Sequence, residues 1–555
     1  MRQEMIGGLP VVAKRILIKF KKVPSSADLA RISAAADGIR LQPLGGSGWY
    51  RLDSASLSAA ALLAALAPDA AVDKIEPDAI GRVAVPKAMA VRRLGTPPRR
   101  PFSTTPNDTD FSLQWALQNT GQTVAGIAGT SGADIGATAA WDHTTGSSGV
   151  AVAVVDTGVD YSHADLAGNM WSAPAAYTIT EGGNVYHCPA GSHGFNAIDN
   201  YSGCSGQEAD ANGHGTAVAG IIGAVGNNGS GTAGVNWTTS MISIVGVESS
   251  GATVVSEIVT ALDALLQIKN HFGSSANVAA LNMSFIVQGS DDALKAEMSL
   301  VGNDGIMMLV GAGNDCVSYL RDPAAFGVWG EMAVGASDQF DQRAYWGSEC
   351  SNGGAGIAAP GKNDLSTTNG GGDSYFAGTS DATPHVTGSA ALLLAGCPLT
   401  MPAALATLKG TADYRSALSA VSSGLRLNVG SALASCSTGT AGTGPVYVDL
   451  EGQGTGMFNQ YGSITVTVDG ISTWVNYDTS YDTTDSIGYR VADALSGPWT
   501  TATYVGNGEI DVVTNALGPY TGYSLGSSVE ADCTPSFDCD PPPTISTFNL
   551  TAGHN

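Results

Sequence analysis

The first hundred residues alternate between short apolar runs and amphipathic stretches. The pattern predicts strand, helix, strand, helix and strand in turn, over residues 15–20, 26–35, 48–52, 57–66 and 72–75. One further strand in the turn-rich stretch between would complete a β-α-β-β-α-β order, which makes a compact α+β unit over about residues 14–82. Residues 83–105 are rich in proline and arginine, so we expect an exposed linker there.

From about residue 106 to residue 436, buried-type apolar runs alternate with helical patterns. The runs fall over residues 150–155, 279–284 and 305–310, and the helical patterns over residues 255–269 and 380–395. This alternation indicates an α/β fold, a parallel sheet with helices on both faces. From residue 437 to residue 555, Gly-, Thr- and Ser-rich sequence with short alternating runs predicts a small β-rich domain and tail, with one helix over residues 484–495.

Charge is distributed unevenly along the 555 residues. Residues 1–105 hold 16 basic and 8 acidic side chains, whereas the whole chain carries a net charge of -24. A basic segment could bind nucleic acid, but the acidic remainder would repel phosphates, so we expect no nucleic-acid partner. We expect instead that the basic segment docks on the acidic body.

Eight cysteines form four pairs that are close in sequence: Cys188 with Cys204, Cys316 with Cys350, Cys397 with Cys436, and Cys533 with Cys539. An even count without metal-type spacing favours disulfides and an oxidising compartment, although proximity leaves other connectivities open. The first 20 residues lack the apolar stretch of a secretion signal, and no apolar run is long enough to cross a bilayer. From the cysteines we expect an extracellular or periplasmic protein without a membrane span.

Three segments carry residues suited to nucleophilic catalysis. An apolar strand ends at Asp156, the motif Gly213-His214-Gly215-Thr216 opens a helix of small residues, and Gly378-Thr379-Ser380 precedes a long apolar helix. A serine hydroxyl needs an imidazole to take its proton, and the imidazole needs a carboxylate to orient it. The chain order Asp, His, Ser differs from that of chymotrypsin and of the α/β-hydrolases.

These motifs resemble the three signatures of the subtilase family of serine peptidases, and the resemblance covers roughly residues 106–435. It implies a subtilisin-like sandwich, with Ser380 as nucleophile, His214 as general base and acid, Asp156 as orienting carboxylate and Asn314 as oxyanion donor. The N-terminal unit is similar to inhibitory propeptides of the family. We therefore expect a propeptide over residues 1–105, a peptidase domain over residues 106–436 and a C-terminal domain over residues 437–555.

The resemblance also implies a substrate-binding edge formed by Ser284, Phe285 and Ile286, with Gly311 and Gly313 at the far wall of the specificity pocket. The family usually has Ser-Leu-Gly-Gly where this chain has Ser284-Phe285-Ile286-Val287. Because isoleucine narrows the edge, peptide binding there is in question, and we expect small or slender side chains before the scissile bond. The methionine that usually follows the nucleophile is replaced by Asp381.

A structural calcium site is a further implication. Calcium ligands of the family correspond here to Asp108, Asp165 and the loop Val225-Gly226-Asn227-Asn228, where hard oxygen donors would converge on the cation. The competing interpretation is that the Asn-Asn-Gly sequence is simply a turn.

Two functions follow from these observations. The first is a secreted, monomeric endopeptidase that cuts protein or peptide substrates through an acyl-enzyme and removes its own propeptide. The alternative is an inactive binding protein on a subtilase scaffold, its cleft altered by Ile286 and Asp381. An esterase with a GxSxG motif and a sedolisin-like carboxyl peptidase both lack their required residues.

Overall fold

The computed structural model describes residues 2–83, 104–199, 202–206, 208–289 and 291–437, together with the backbone of six later strands. Two compact units comprise residues 1–395 with 413–430, and residues 396–412 with 431–555. The predicted helix over residues 484–495, most of the predicted linker, and Cys533 and Cys539 lie outside the described residues.

The N-terminal elements of the larger unit build an antiparallel sheet with two helices. They are β1 (Gln3–Ile6), β2 (Leu9–Phe20), α1 (Ser26–Ala35), β3 (Gly38–Leu44), β4 (Trp49–Ser54), α2 (Ala59–Leu66) and β5 (Val72–Arg82). Their order contains the predicted β-α-β-β-α-β series, and β3 is the strand expected in the turn-rich stretch. Each helix begins after a serine, Ser25 or Ser58, whose side chain accepts a hydrogen bond from the backbone of the first turn.

The next elements of the larger unit, up to α7, include most of a central sheet and the helices that cover it. They are β6 (Thr123–Val124), β7 (Ile127–Ala128), α3 (Ala137–Ala140), β8 (Gly146–Asp156), β9 (Tyr177–Glu181), β10 (Asn184–Cys188), β11 (Gly194–Asn196), α4 (His214–Gly223), β12 (Thr238–Val245), β13 (Ala252–Val254), α5 (Val255–Phe272), β14 (Val278–Met283), α6 (Asp292–Asn303), β15 (Met307–Gly311), β16 (Glu331–Ser337), β17 (Tyr345–Trp346), β18 (Glu349–Cys350), β19 (Ile357–Pro360), β20 (Lys362–Thr367), β21 (Asp373–Ala377) and α7 (Thr379–Gly396).

Two short strands and three helices follow, and then the six strands described by their backbone alone. These elements are α8 (Met401–Gly410), β22 (Asp413–Tyr414), α9 (Ser419–Ser422), β23 (Leu425–Arg426), α10 (Val429–Ser437), β24 (Pro445–Asp449), β25 (Tyr461–Val468), β26 (Ile471–Asp478), β27 (Thr500–Gly506), β28 (Glu509–Thr514) and β29 (Gly526–Ala531). The last six form two antiparallel three-stranded sheets, β24-β28-β27 and β26-β25-β29.

The central sheet has nine strands in the order β11-β12-β8-β14-β15-β16-β19-β23-β22, and all neighbours up to β23 run parallel. Its strand β8 shows why helices cover both faces. Ala151, Ala153 and Val155 belong to the apolar core that contains α5 and α6, whereas Val152 and Val154 pack with residues of α4. This arrangement confirms the predicted α/β sandwich.

The N-terminal sheet continues into the rest of the larger unit through β13. The order β13-β5-β2-β4-β3 joins residues 252–254 to the C-terminal end of β5, and β1 pairs on the side with β2. The N-terminal unit is therefore bound to the body of the protein by a shared sheet as well as by side chains.

Three of the four predicted disulfides are confirmed: Cys188–Cys204, Cys316–Cys350 and Cys397–Cys436. Among the described helices, none alone has the length and apolar composition needed to cross a membrane. Only a bent pair, α7 with α8, reaches that length when its two members are counted together.

Candidate active site

Asp156 is the last residue of β8, and its carboxylate is completely buried. Its Oδ1 accepts a hydrogen bond from the Thr157 amide at 2.7 Å and lies 2.7 Å from Nδ1 of His214, the first residue of α4. Among the described residues, His214 Nε2 has no hydrogen-bond partner. The geometry fixes the imidazole through Nδ1 and leaves Nε2 to accept a proton.

Asp210 holds the turn that leads into α4, a role that the sequence motifs did not reveal. Its Oδ1 accepts from the amides of Asn212 and Gly213 at 2.8 Å and from the Thr157 hydroxyl at 2.9 Å. Its Oδ2 accepts from the Thr216 amide and hydroxyl at 3.0 and 2.6 Å. This carboxylate therefore ties the residues around His214 to the residue after Asp156. The available signal was an aspartate shortly before a helix start.

Ser380 is the second residue of α7, and its hydroxyl faces the end of β14. Its Oγ donates to the carbonyl of Ser284 at 3.2 Å, and the Ser284 hydroxyl donates in return to the Ser380 carbonyl at 3.1 Å. Asn282 supports this exchange, since its Nδ2 donates to Ser284 Oγ at 2.9 Å and its Oδ1 accepts from Thr387 of α7 at 2.9 Å. The nucleophile helix is thus held directly against the strand expected to bind substrate.

Asn314 follows β15 and lies beside the turn into α7. Its Oδ1 accepts from the amide and the hydroxyl of Thr379 at 3.0 and 2.9 Å. Its Nδ2 faces Gly378, where an added Cβ would lie 3.4 Å away from it. Anchored through its oxygen, the amide keeps its N–H groups free to donate toward an oxyanion near Ser380.

Gly311 and Gly313, the glycines predicted at the far wall of the specificity pocket, differ in how much space a side chain would have. Gly313 has φ +101°, and its amide donates to Thr379 Oγ1 at 3.2 Å. A Cβ at Gly313 would approach Asn352 Nδ2 to 2.5 Å, whereas one at Gly311 would come no nearer than 3.4 Å to its neighbours, the hydroxyls of Thr379 and Thr383. Phe285, predicted at the substrate edge, is 2% exposed and packs in the core with α5 and α6.

Buried carboxyl groups alter the titration of the site. Burial by itself would lower the pKa of His214, but the charges of Asp156, Asp381 and Asp210 outweigh it and raise that pKa. Asp381 is 5% exposed, and burial raises its pKa to about 7, against the opposing effect of His214. Asp364 is also buried near Asp381, and burial together with that neighbour raises its pKa well above the usual range.

A peptide segment already lies on the predicted substrate edge. The backbone amide of Arg82 donates to the Ile286 carbonyl at 2.8 Å, and the Ile286 amide donates to the Arg82 carbonyl at 3.0 Å. On the opposite side, residues 80–82 pair with β13, and the Val83 amide donates to Gly251 at 2.9 Å. The β-branched side chain of Ile286 therefore does not prevent its backbone from pairing with a peptide.

The residues predicted to hold calcium come together in space. Asp108 accepts from the amides of Asn227 and Asn228 at 2.6 and 3.3 Å, and Asp165 accepts from Asn228 Nδ2 at 2.6 Å. The amide of Val225 donates to the Asp165 carbonyl at 2.7 Å. Burial raises the pKa of both carboxyl groups, and the charge of Asp165 adds to the effect on Asp108. In the part of the chain that is described, no cluster of three or more His, Cys, Asp or Glu suits a metal ion, so a cation here would also need amide or carbonyl oxygens.

The parallel sheet, the buried aspartate–histidine pair and the serine at a helix start define the class of α/β serine hydrolases with the Asp, His, Ser order. A model of Peptidase S8, the subtilase family, matches residues 147–435. The match covers more than half of the chain, and the chain therefore belongs to the subtilase family.

Curated relatives agree with this assignment. The chain is 32% identical over 292 residues to the thermophilic serine proteinase of Bacillus sp. (strain AK1), covering 52% of this chain and 59% of that protein. It is 34% identical over 325 residues to an extracellular protease of Xanthomonas campestris pv. campestris, covering 56% and 53%. Thermitase of Thermoactinomyces vulgaris is 31% identical over 258 residues, covering 46% and 77%. The chain thus spans between half and three-fifths of the first two relatives.

A solved structure shares the fold. Fervidolysin from Fervidobacterium pennivorans, described as a keratinolytic enzyme related to subtilisin, superposes with a TM-score of 0.58 at 20% identity, covering 86% of this chain and 69% of that one. At this identity the similarity concerns the fold alone.

Removing the carboxylate at position 381 should lower the pKa of His214. When ionised, Asp381 favours the imidazolium, so Asp381→Asn removes one source of the raised value while keeping the side chain's shape. NMR titration of the His214 imidazole in the full chain, with and without the substitution, measures the shift directly. Asp304→Asn is the control, because Asp304 pairs with Lys269. Superimposable His214 curves for Asp381→Asn and the unaltered chain would show that Asp381 does not couple to the histidine.

Proposed function

We propose that this chain is a secreted, monomeric serine endopeptidase, made as a precursor whose residues 1–105 inhibit it and are removed by autoprocessing. The observation that carries the proposal is the path of residues 80–83, which add a strand between β13 and Ile286. An extended peptide that pairs on both sides in a cleft beside a nucleophile is arranged as a substrate would be.

The proposed reaction follows from the residues around Ser380. His214 Nε2 takes the proton of the Ser380 hydroxyl as its oxygen attacks the substrate carbonyl, and Asp156 stabilises the imidazolium through Nδ1. Asn314 Nδ2 and the Ser380 amide donate to the oxyanion, and the imidazolium then gives its proton to the leaving amine. Water repeats the sequence on the acyl-enzyme and regenerates the serine. Loss of one oxyanion donor costs on the order of 3 kcal/mol of transition-state stabilisation.

The strand register indicates where the paired segment leads. Arg82 lies opposite Ile286 in antiparallel pairing, so the segment runs in the direction of Ser284, two residues before Ile286. The Ser284 carbonyl is the acceptor of the Ser380 hydroxyl. We therefore expect the processing site to follow this paired segment, within residues 84–105, which lie almost entirely outside the described residues.

A fluorophosphonate probe on the full chain should label the wild-type protein at Ser380 and leave Ser380→Ala unlabelled. Mass spectrometry should also show that the wild type converts to a shorter species that has lost its N-terminal segment, with a new N-terminus within residues 85–106, whereas Ser380→Ala should keep its full length. If neither labelling nor conversion occurs in wild type, the inactive scaffold altered by Ile286 and Asp381 becomes the better reading.

Inhibition by the N-terminal segment is supported by a network of ion pairs across the contact. Asp199 lies in the loop that the Cys188–Cys204 disulfide closes. Its carboxylate oxygens are 2.9 Å from Arg15 Nη2 and 2.6 Å from Arg51 Nη1. Although burial opposes it, the carboxylates around Arg15, including Asp78 and Asp199, raise the pKa of that guanidinium. Two arginines of the basic segment thus converge on one carboxylate of the acidic body.

Asp199→Asn should speed release of the cleaved N-terminal segment by about tenfold, because truncating one member of a partly buried charge pair costs on the order of 1–2 kcal/mol once solvent screening is allowed for. The measurement is the lag before peptidase activity appears after autoprocessing, at low and high salt. The matched control is Asp292→Asn, which removes a carboxylate from the more exposed pair with Lys74 across the same contact. Equal lags for both variants would argue against a special role for Asp199.

Calcium is proposed as a structural cofactor held by the oxygen atoms around Asp108 and Asp165. A cation there would offset the burial that raises the pKa of both carboxyl groups and the charge of Asp165 that raises the pKa of Asp108 further. Its function would be to join the chain near Asp108 to the loop Val225–Asn228, and we assign it no part in the reaction.

Adding calcium should raise the Tm of the full chain, and Asp165→Asn should remove most of that increase. A ligand at 100 times its Kd stabilises by about 2.7 kcal/mol, which calorimetry resolves. Asp304→Asn, with its carboxylate in the Lys269 pair, is expected to keep the full response. If calcium still raises the Tm of Asp165→Asn, the cation binds elsewhere, and residues 225–228 form a turn without a calcium-binding role.

A further inference from the structure

Residues 80–83 form the middle strand of a three-stranded arrangement. Ile80, Gly81 and Arg82 pair with Val254, Thr253 and Ala252 on one side, and Arg82 alone pairs with Ile286 on the other. A peptide held in this way cannot move toward either edge without losing hydrogen bonds to the other.

Gly81 occupies a position with no room for a side chain. A Cβ there would lie 2.2 Å from the Ile286 carbonyl oxygen, 2.8 Å from Val287 Cγ1 and 3.0 Å from Thr253 Cγ2. Carbon atoms in contact normally stay about 3.5–4.0 Å apart, so even a methyl group would overlap all three. The backbone of Gly81 does not have a left-handed φ, so the restriction comes from space and not from conformation.

The three obstructing groups are fixed by their own contacts. The Ile286 carbonyl accepts from the Arg82 amide, and the Val287 amide donates to Asp322 at 2.8 Å. Thr253 is completely buried and donates through Oγ1 to Gly246 at 2.6 Å, and Val287 is 1% exposed. Relief of the overlap therefore requires a backbone shift that breaks the pairing of the peptide.

The restriction is confined to one position. The adjacent Arg82 side chain is 67% exposed, with its nearest charged neighbour, Asp315, at 3.9 Å. A larger residue is thus tolerated directly after Gly81 but not at Gly81 itself.

We propose that the cleft selects peptides with glycine at the position of Gly81, the residue immediately before the one that pairs with Ile286. The inference rests on the proposed function for its meaning in catalysis. Val287 and Thr253 are the specificity-determining side chains, and the substrates are glycine-containing extended segments.

The direct test uses internally quenched peptides with the sequence of residues 78–87, carrying Gly, Ala or Val at the Gly81 position. The autoprocessed wild-type enzyme should cleave the alanine peptide with a kcat/KM at least tenfold below that of the glycine peptide, and the valine peptide more slowly still. The control peptide keeps glycine at the Gly81 position and carries alanine at the Arg82 position. Its kcat/KM should stay within threefold of that of the unaltered glycine peptide. Val287→Gly in the enzyme should narrow the gap between glycine and alanine peptides. Equal cleavage of the glycine and alanine peptides would overturn the proposal.

A second measurement does not depend on catalysis. In full-length Ser380→Ala, adding Gly81→Ala should make the amides of Arg82 and Ile286 exchange hydrogen at least tenfold faster, because the paired strand is displaced. Arg82→Ala in the same background should change them less than threefold. Unchanged protection in Gly81→Ala would refute the steric argument even if the protein proves inactive. Failure of all peptides to be cleaved, with protection lost as expected, would count against the proposed activity alone.

Discussion

The positions of the candidate catalytic residues depend on the parallel register of β8, β14 and β15 at the centre of the sheet. Val154 lies beside Asn282, and Asn282 beside Leu309, so the three strands end together. Asp156 ends β8, Ser284 follows β14 and Asn314 follows β15. Because every residue of these strand ends is buried on both faces, a shift of one strand would disrupt two apolar cores at once. The sheet thereby holds the Asp156 carboxyl group and the Ser284 hydroxyl within a region that is otherwise apolar.

The sequence predicted the parts of the fold that local pattern determines. The continuous apolar run before Asp156 and the long helix after Ser380 were visible because burial on both faces leaves few polar positions. The prediction ended β5 at residue 75, but the strand continues to Arg82 through Pro77 and Gly81. Those residues disfavour a strand locally, and its second half is stabilised by pairing with β13, a partner about 170 positions away in the chain. Such pairing has no signal in the segment itself.

In the candidate site, too, local motifs were visible in the sequence, whereas contacts between distant residues were not. Asp156, His214, Ser380 and Asn314 were recognisable from motifs, because each motif combines a reactive residue with the glycine or small residues that its turn needs. Asp210 carried no such motif, since its role depends on where Thr157 and Thr216 lie in space. The departure at Ile286 was visible, and its expected effect on the side chains before the scissile bond stays a prediction. The backbone of Ile286 still pairs with Arg82, and it is the carbonyl oxygen, with Val287 and Thr253, that closes the space at Gly81.

Net charge accounts for only part of the contact between the N-terminal unit and the body. The basic segment contacts the acidic body partly through carboxylates of its own. Glu76 accepts hydrogen bonds from the amides of Asp292 and Ala293, at the start of α6, at 3.0 and 3.1 Å. Asp78 accepts a hydrogen bond from the Ser256 amide at the start of α5. Helix N-termini present unpaired N–H groups and a favourable dipole, so they bind anions even on an acidic protein. Burial nevertheless raises the pKa of Glu76 to about 8, which means that these hydrogen bonds do not fully compensate the lost hydration. The paired strand and the arginine contacts with Asp199 therefore determine how the two parts fit.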